Sequence, residues 1–423
     1  MLSEELVKTF KVSPNDFTRK RRQSFASTIC FIMNLVRKSL SLEIENFVSY
    51  LQEDAGNIHQ ESFTKSAFVQ YRKKIKPEVF TCLSDQLVEE FYTDNDESVK
   101  LWNGFRVLSV DGARISLPNT EELKLEYGES KNQSRTGTVQ GRVSVLYDLL
   151  NGLVLDASLS SLTTGESTLA HEHLQHAKMG DLIIYDRGYP SFKLVHSHNK
   201  SNIDFLIRVK VSFSSMTQDF HDSGMTSLIT SMTPGDNTKG INFGKNETVK
   251  VRLTRIDLGD QATEILITSL LDETLYPTGI FKELYFKRWG IETFYDEFKN
   301  KIRVENFSGY SKQSIQQDFR AAIFVSNIQS LIVGEINDEL SGRKTNNRYT
   351  YKTNANLSYG FLKNRIIDLF FFEKDVEEPI EELKELLMKH LVPVRNGRSS
   401  NRNTGKYRNR LKPKITKNFK DAI

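Results

Sequence analysis

The chain predicts a mixed α/β fold, a mixed sheet with helices packed against it. Three observations carry that expectation. The first 100 residues read as helices. A strand grammar takes over at Arg106 and runs strand, strand, strand, helix, strand, helix, strand to about residue 210. A helical segment from about Thr278 to Ile302 then returns with one apolar face and one charged face.

In chain order, Phe25–Leu51 spaces Phe31, Ile32, Leu35, Val36, Leu40 and Phe47 at helical intervals, behind the basic run Arg19-Lys20-Arg21-Arg22. Helices are also expected over Thr64–Lys74, with Lys65, Arg72, Lys73 and Lys74, and over Pro77–Tyr92. Such basic-edged units suit a DNA-binding module or a helical cap on the next domain. Asp94-Asn95-Asp96-Glu97 reads as a linker.

Arg106–Leu117, RVLSVDGARISL, alternates like a strand and holds Asp111 beside Gly112. Val139–Leu150 and Leu153–Ser161 are strands joined by Asn151-Gly152, a strong hairpin signal because both positions tolerate positive φ. Gly165–Lys178 is a helix. Asp181–Ile184 is a buried strand ending at Asp186-Arg187-Gly188-Tyr189-Pro190, followed by a helix over Pro190–Lys200 and a strand over Asp204–Lys210. Residues 211–276 begin polar and end in two strands, VKVRLTRIDL and ATEILITSLL. Helices are expected over Asp318–Leu340 and within 345–390. The expected division is a helical DNA-binding domain at 1–100, a catalytic core at 101–210 and 277–345, a β-rich insertion at 211–276, and helices with a basic tail at 346–423.

With 423 residues and 48.7 kDa the chain is long enough for a large core. Cys30 and Cys82 are the two cysteines, which excludes a disulfide framework and implies a reducing compartment. No signal-peptide pattern opens the chain, and its longest apolar run, Ile29–Val36, is too short to span a bilayer; a cytoplasmic, nucleoid-associated protein is expected. The net charge of +4 hides an asymmetry: residues 395–420 carry ten Lys or Arg and no acid, which leaves −6 for the rest. That tail is read as polyanion-seeking, with a solubilising tail as the alternative.

On a helix, Leu284, Ile291, Tyr295, Phe298 and Ile302 form one apolar stripe. Tyr285, Arg288, Glu292 and Lys299 form an adjoining row within about 60°. Their spacing, Y-x2-R-x3-E-x6-K, resembles the YREK signature of the insertion-sequence-four group of DDE transposases. DGARISLP and YDRGYPS resemble that group's first and second aspartate blocks, and VQGRVSVLYDLLNGLVLDASL resembles the meander between them. The element order likewise resembles the RNase H-like fold, in which a later helix brings a third acid beside two on strands. The resemblance covers roughly residues 15–340.

It implies a catalytic triad of Asp111, Asp186 and Glu292. Three converging carboxylates demand a cation, and an oxygen-only set suits Mg²⁺ or Mn²⁺, with two ions per site. Asp111 is then the bridging ligand, while Asp186 and Glu292 each hold one ion. Tyr285, Arg288 and Lys299 are expected to grip the DNA end, and Trp289 to stack on a displaced base or to sit in the core. The implied activity is cutting at terminal inverted repeats of a bacterial insertion sequence and joining of the 3′-OH ends to target DNA. The partners are double-stranded DNA at the ends and the target, in a homodimer on paired ends, without membrane. Gly137–Gly141 lacks the Lys-Ser/Thr pair of a P-loop, so ATP is not expected. His171, His173 and His176 lack HExxH spacing, so zinc is not expected. The competing functions are a catalytically silent, transposase-derived DNA-binding protein and a stand-alone nuclease.

Overall fold

The computed structural model describes residues 3–18, 23–53, 62–94, 98–130, 137–235, 243, 247–257, 263–343, 349–371 and 377–394. The basic run at 19–22, most of the acidic linker and the tail from 395 lie outside them. Eight strands form the body of one sheet: β1 Arg106–Ser116, β2 Thr138–Asp148, β3 Val154–Ser160, β4 Asp181–Tyr185, β5 Asp204–Val209, β6 Ser227–Met232, β7 Val249–Asp257 and β8 Thr263–Thr268. Their order is β3-β2-β1-β4-β5-β8-β7-β6, and the two-residue strand Glu129–Ser130 also pairs with β2. β1–β3 form an antiparallel meander, while β4 and β5 join β1 in parallel. This is the expected RNase H-like order. The inserted strands β6–β8 continue the same sheet, because β8 pairs antiparallel with β5.

The hairpin between β2 and β3 shows how local chemistry sets the register. Gly152 sits at φ +73°, a conformation that favours glycine. Buried Asp148 accepts from the Leu150 and Asn151 backbone N–H groups, the Asn151 amide and the Tyr92 hydroxyl.

Fourteen helices of the described residues surround the sheet. In the N-terminal part they are α1 Glu4–Phe10, α2 Phe25–Met33, α3 Leu40–Glu53, α4 Lys65–Arg72 and α5 Glu78–Asp94. Next come α6 Glu121–Tyr127, α7 Glu166–His173, α8 Phe192–Ser201 and α9 Ser215–Asp222. The last five are α10 Ile280–Phe286, α11 Trp289–Asn300, α12 Lys312–Gly342, α13 Ala355–Phe371 and α14 Glu377–Lys389. The segment Phe25–Leu51, expected as continuous, is two helices. The chain turns at Leu35, φ +51°, and the Glu43 carboxylate accepts the Arg37 and Lys38 N–H groups ahead of α3.

The two faces of the sheet bury different residues. Leu108, Val110, Ile183 and Phe205 pack with Phe192, Leu194 and Val195 of α8. Ile115, Val143 and Val145 share a core with α11, α12 and the N-terminal helices, through Phe298, Phe319, Phe324, Phe31 and Phe80. α12 is long and apolar enough to cross a bilayer, but 67% of its most apolar window is buried inside the protein, as befits a central core helix.

Arg72, expected on a basic outer edge, is instead an internal tie. Its guanidinium donates to Asp318 at 2.8 Å, Gln317 at 2.9 Å, Ser308 at 2.8 Å and the Ser314 carbonyl at 3.1 Å. Such burial is sustainable because every donor arm of the fork finds an acceptor. Arg37 is buried too, donating to the Ile302 and Asn306 carbonyls just beyond α11.

Candidate active site

Parallel pairing of β1 with β4 aligns Ser109 with Ile184 and then stops. Two residues further along each segment stand Asp111, still within β1, and Asp186, just past the end of β4, so the register brings both acids to the place where the two strands part. Asp111 is not a turn residue: it lies inside β1, paired with Val145 of β2. Nor does Asp186 cap the next helix, since the cap of α8 is Ser191.

The third acid arrives on α11. Buried Ile291, Phe298 and Ile302 hold that helix on the core, as their apolar stripe predicts. The Tyr295 hydroxyl donates to the Asp111 carbonyl at 2.7 Å and fixes α11 against β1. The straight helix expected from Thr278 is corrected by the structure. It divides at Lys287 and Arg288, where N–H groups bond three residues back: Arg288 to Tyr285, Gly290 to Lys287, Ile291 to Arg288. This tightened turn lets Leu284 and Tyr285 pack against β1, β4 and β5 residues while α11 packs elsewhere.

Arg288 lies at the centre. It is 5% exposed, with Nη2 donating to Glu292 Oε1 at 2.6 Å and Nη1 3.7 Å from Asp111 Oδ2. The Tyr285 hydroxyl donates to Asp186 Oδ1 at 3.0 Å. Arg208 of β5 stands 3.7 Å from the same oxygen and is held by Glu264 of β8. The structure therefore gathers Asp111 and Glu292 around one guanidinium and joins Asp186 to the group through Tyr285.

The charges are in conflict. Burial pushes the Asp111 carboxyl up to about 6; the Gly112 N–H and Arg288 oppose this, and Glu292 and Asp186 add to it. Asp186 goes the other way. Burial would raise it, but the Arg187 N–H, Arg288, Tyr285 and Arg208 together hold it below the usual carboxylate range. Burial pushes the Tyr285 hydroxyl up to about 12, with Asp186 reinforcing it, so it remains a donor at neutral pH.

Lys299 does not join the carboxylates; its Nζ donates to the Arg114 carbonyl at 2.8 Å, further along β1. Trp289 is 46% exposed beside Arg288, which settles its placement in favour of an accessible ring. His173 is structural, its ring nitrogens bonded to Ser144 and Asp156. Arg208 and Glu264 escaped the sequence reading because they meet across 56 residues and no spacing rule joins them.

Among the described residues, no three His, Cys, Asp or Glu side chains stand close enough to form a ready metal cage. The donor set still fits a hard cation. It is all oxygen, its three carboxylates repel one another, and a positive group, the Arg288 guanidinium, already stands between two of them.

Residues 102–328 match the family described as transposase DDE domain. A curated relative, the transposase InsG for insertion sequence element IS4 of Escherichia coli (strain K12), is 19% identical over 244 residues. That match takes in 57% of this chain and 55% of the relative, so the chain spans about half the length of that protein. Among solved structures, the piggyBac transposase synaptic complex with hairpin DNA aligns over 94% of this chain and 82% of that one, at 9% identity and a TM-score of 0.42. The Mos1 transposase paired-end complex with left transposon end aligns over 49% and 68%, at 10% identity and a TM-score of 0.17. With the DDE match running from the residues before β1 into α12, and so taking in Asp111, Asp186 and Glu292, the chain belongs to the transposase DDE-domain family.

Proposed function

We propose that this protein is a DNA transposase that cuts at the terminal inverted repeats of its own insertion sequence and joins the 3′-OH ends to target DNA. The observation that carries the reading is the gathering of Asp111, Glu292 and, through Tyr285, Asp186 around Arg288 where β1 and β4 part.

Asp111, Asp186 and Glu292 are the residues that would hold Mg²⁺ or Mn²⁺. When bound, such ions activate the attacking oxygen and neutralise charge on the leaving one. The chain's own groups prepare the site. Tyr295 anchors the strand that carries Asp111, while Tyr285 and Arg208 orient Asp186. Arg288 is placed to meet a scissile phosphate, which as an anion competes with the carboxylates for its guanidinium. Lys299 and the exposed Trp289 ring suit the flanking backbone and an unstacked base. The reading includes two chains on paired ends, action on nucleoid DNA in the cytoplasm, and no use of ATP.

The test uses the full chain, Mg²⁺ and a plasmid carrying the DNA that flanks this coding sequence. Cuts at inverted repeats that expose 3′-OH ends, absent with Asp111→Asn, are expected. Specific binding of the ends with no cutting above that variant would instead support a catalytically silent DNA-binding protein.

A further inference from the structure

Arg208 and Glu264 belong to neighbouring antiparallel strands. Arg208 of β5 pairs in register with Leu266 of β8, so Glu264 is its diagonal neighbour two residues along, on the same face. The guanidinium meets the carboxylate in a two-pronged bridge, Nε to Oε2 at 2.8 Å and Nη2 to Oε1. Both side chains are largely covered, at 20% and 23% exposure. The third nitrogen, Nη1, points toward Asp186 Oδ1 at 3.7 Å, the oxygen that accepts from Tyr285. Arg208 interacts with the Tyr285 hydroxyl as well. The contacts run from an inserted strand to a candidate catalytic carboxylate in three steps: Glu264, Arg208, then Tyr285 with Asp186.

We propose that Glu264 is a positioning residue for the active site, and that strand β8 belongs to the catalytic machinery through it. A planar fork gripped on two prongs has one remaining direction for its third nitrogen. Without Glu264 the Arg208 side chain is free to swing, and Tyr285 and Asp186 lose their common restraint. The proposal rests on the reading of Asp186 and Tyr285 as site residues. It differs from a plain cross-strand bridge, which ties β5 to β8 and does nothing else.

Four full-length variants separate the two: Glu264→Gln, Tyr285→Phe, the double Glu264→Gln/Tyr285→Phe, and the exchanged pair Arg208→Glu/Glu264→Arg. Supporting outcomes begin with Glu264→Gln. Its kcat for cutting a duplex of the flanking inverted repeat falls about 10- to 100-fold while KM stays near wild type, and its thermal midpoint drops with the loss of the bridge. The exchanged pair restores the bridge, and so the thermal midpoint, yet does not restore cutting, because it turns a glutamate toward Asp186. Cutting at the wild-type rate by Glu264→Gln or by the exchanged pair overturns the proposal. If the wild type itself fails to cut, the reading of the site falls, and the link is judged on stability alone. Non-additive thermal shifts for Glu264→Gln with Tyr285→Phe then support it, and additive shifts overturn it.

Discussion

Asp111 is charged at neutral pH against the preference of its surroundings. Its folded pKa of about 6 lies above the ordinary 3.8, so between those values the folded chain holds a proton that the unfolded chain has lost. The group favours the folded state below the lower value, and that contribution is lost as pH rises through the upper one. Asp111→Asn removes the penalty. The variant is expected to be more stable than wild type by on the order of 2 kcal/mol at neutral pH, with the difference vanishing in acid. Urea unfolding across pH checks this; a variant less stable at neutral pH contradicts it. The three candidate carboxylates could be picked out together because each sits inside a run of residues with its own pattern, DGARISLP, YDRGYPS and the helical row. Arg208 and Glu264 were not, because a lone Arg and a lone Glu in separate strands look like any solvated pair until the sheet brings them together.

The element that matters most is the pair α10 and α11. A helical wheel drawn through both gives a row of four residues. The tightened turn at Lys287–Arg288 sends the row's members to different places: Tyr285 to Asp186, Arg288 to Glu292 and Asp111, Lys299 to the far end of β1. Periodicity located the buried stripe correctly, since burial follows spacing. The break was not legible, since it depends on which core each half enters. Of the row's cations, Lys299 is the one not engaged with a carboxylate among the described residues, so it is the clearer probe of backbone contact. Lys299→Ala is expected to lower the slope of log affinity against log salt by about 1 for end DNA and unrelated DNA alike. Binding titrations at several salt concentrations measure this, and an unchanged slope takes Lys299 out of the interface.

Over the whole molecule, the N-terminal helices and the sheet share a core instead of being joined by a few surface contacts. Phe31, Phe47 and Phe68 form an edge-on aromatic cluster in the same core as Phe298, Phe319 and Phe324. Arg72 binds Asp318 across 246 positions of sequence. That distance is why sequence reading placed Arg72 on a basic rim: its acceptors all lie on elements not yet in view. Removing one partner from a buried, fully bonded pair leaves the other uncompensated. Arg72→Ala should cost about 3–5 kcal/mol. Denaturant unfolding measures it, and a loss under about 1 kcal/mol would show the tie to be dispensable. The element order and the meander of β1–β3, by contrast, were legible, because strand grammar and the Asn151-Gly152 turn act over a few residues; that β6–β8 extend the same sheet was not, because it depends on the pairing of β8 with β5.

In the proposed function, three carboxylates from β1, the end of β4 and α11 act together on hard cations at a DNA phosphate. Calorimetric titration of Mn²⁺ into the full chain, with a duplex of the flanking inverted repeat present, tests it most directly. Saturable binding is predicted for wild type and for Lys299→Ala, and its loss is predicted in each of Asp111→Asn, Asp186→Asn and Glu292→Gln. Binding that survives in all three, or that never occurs in the wild type, contradicts the claim.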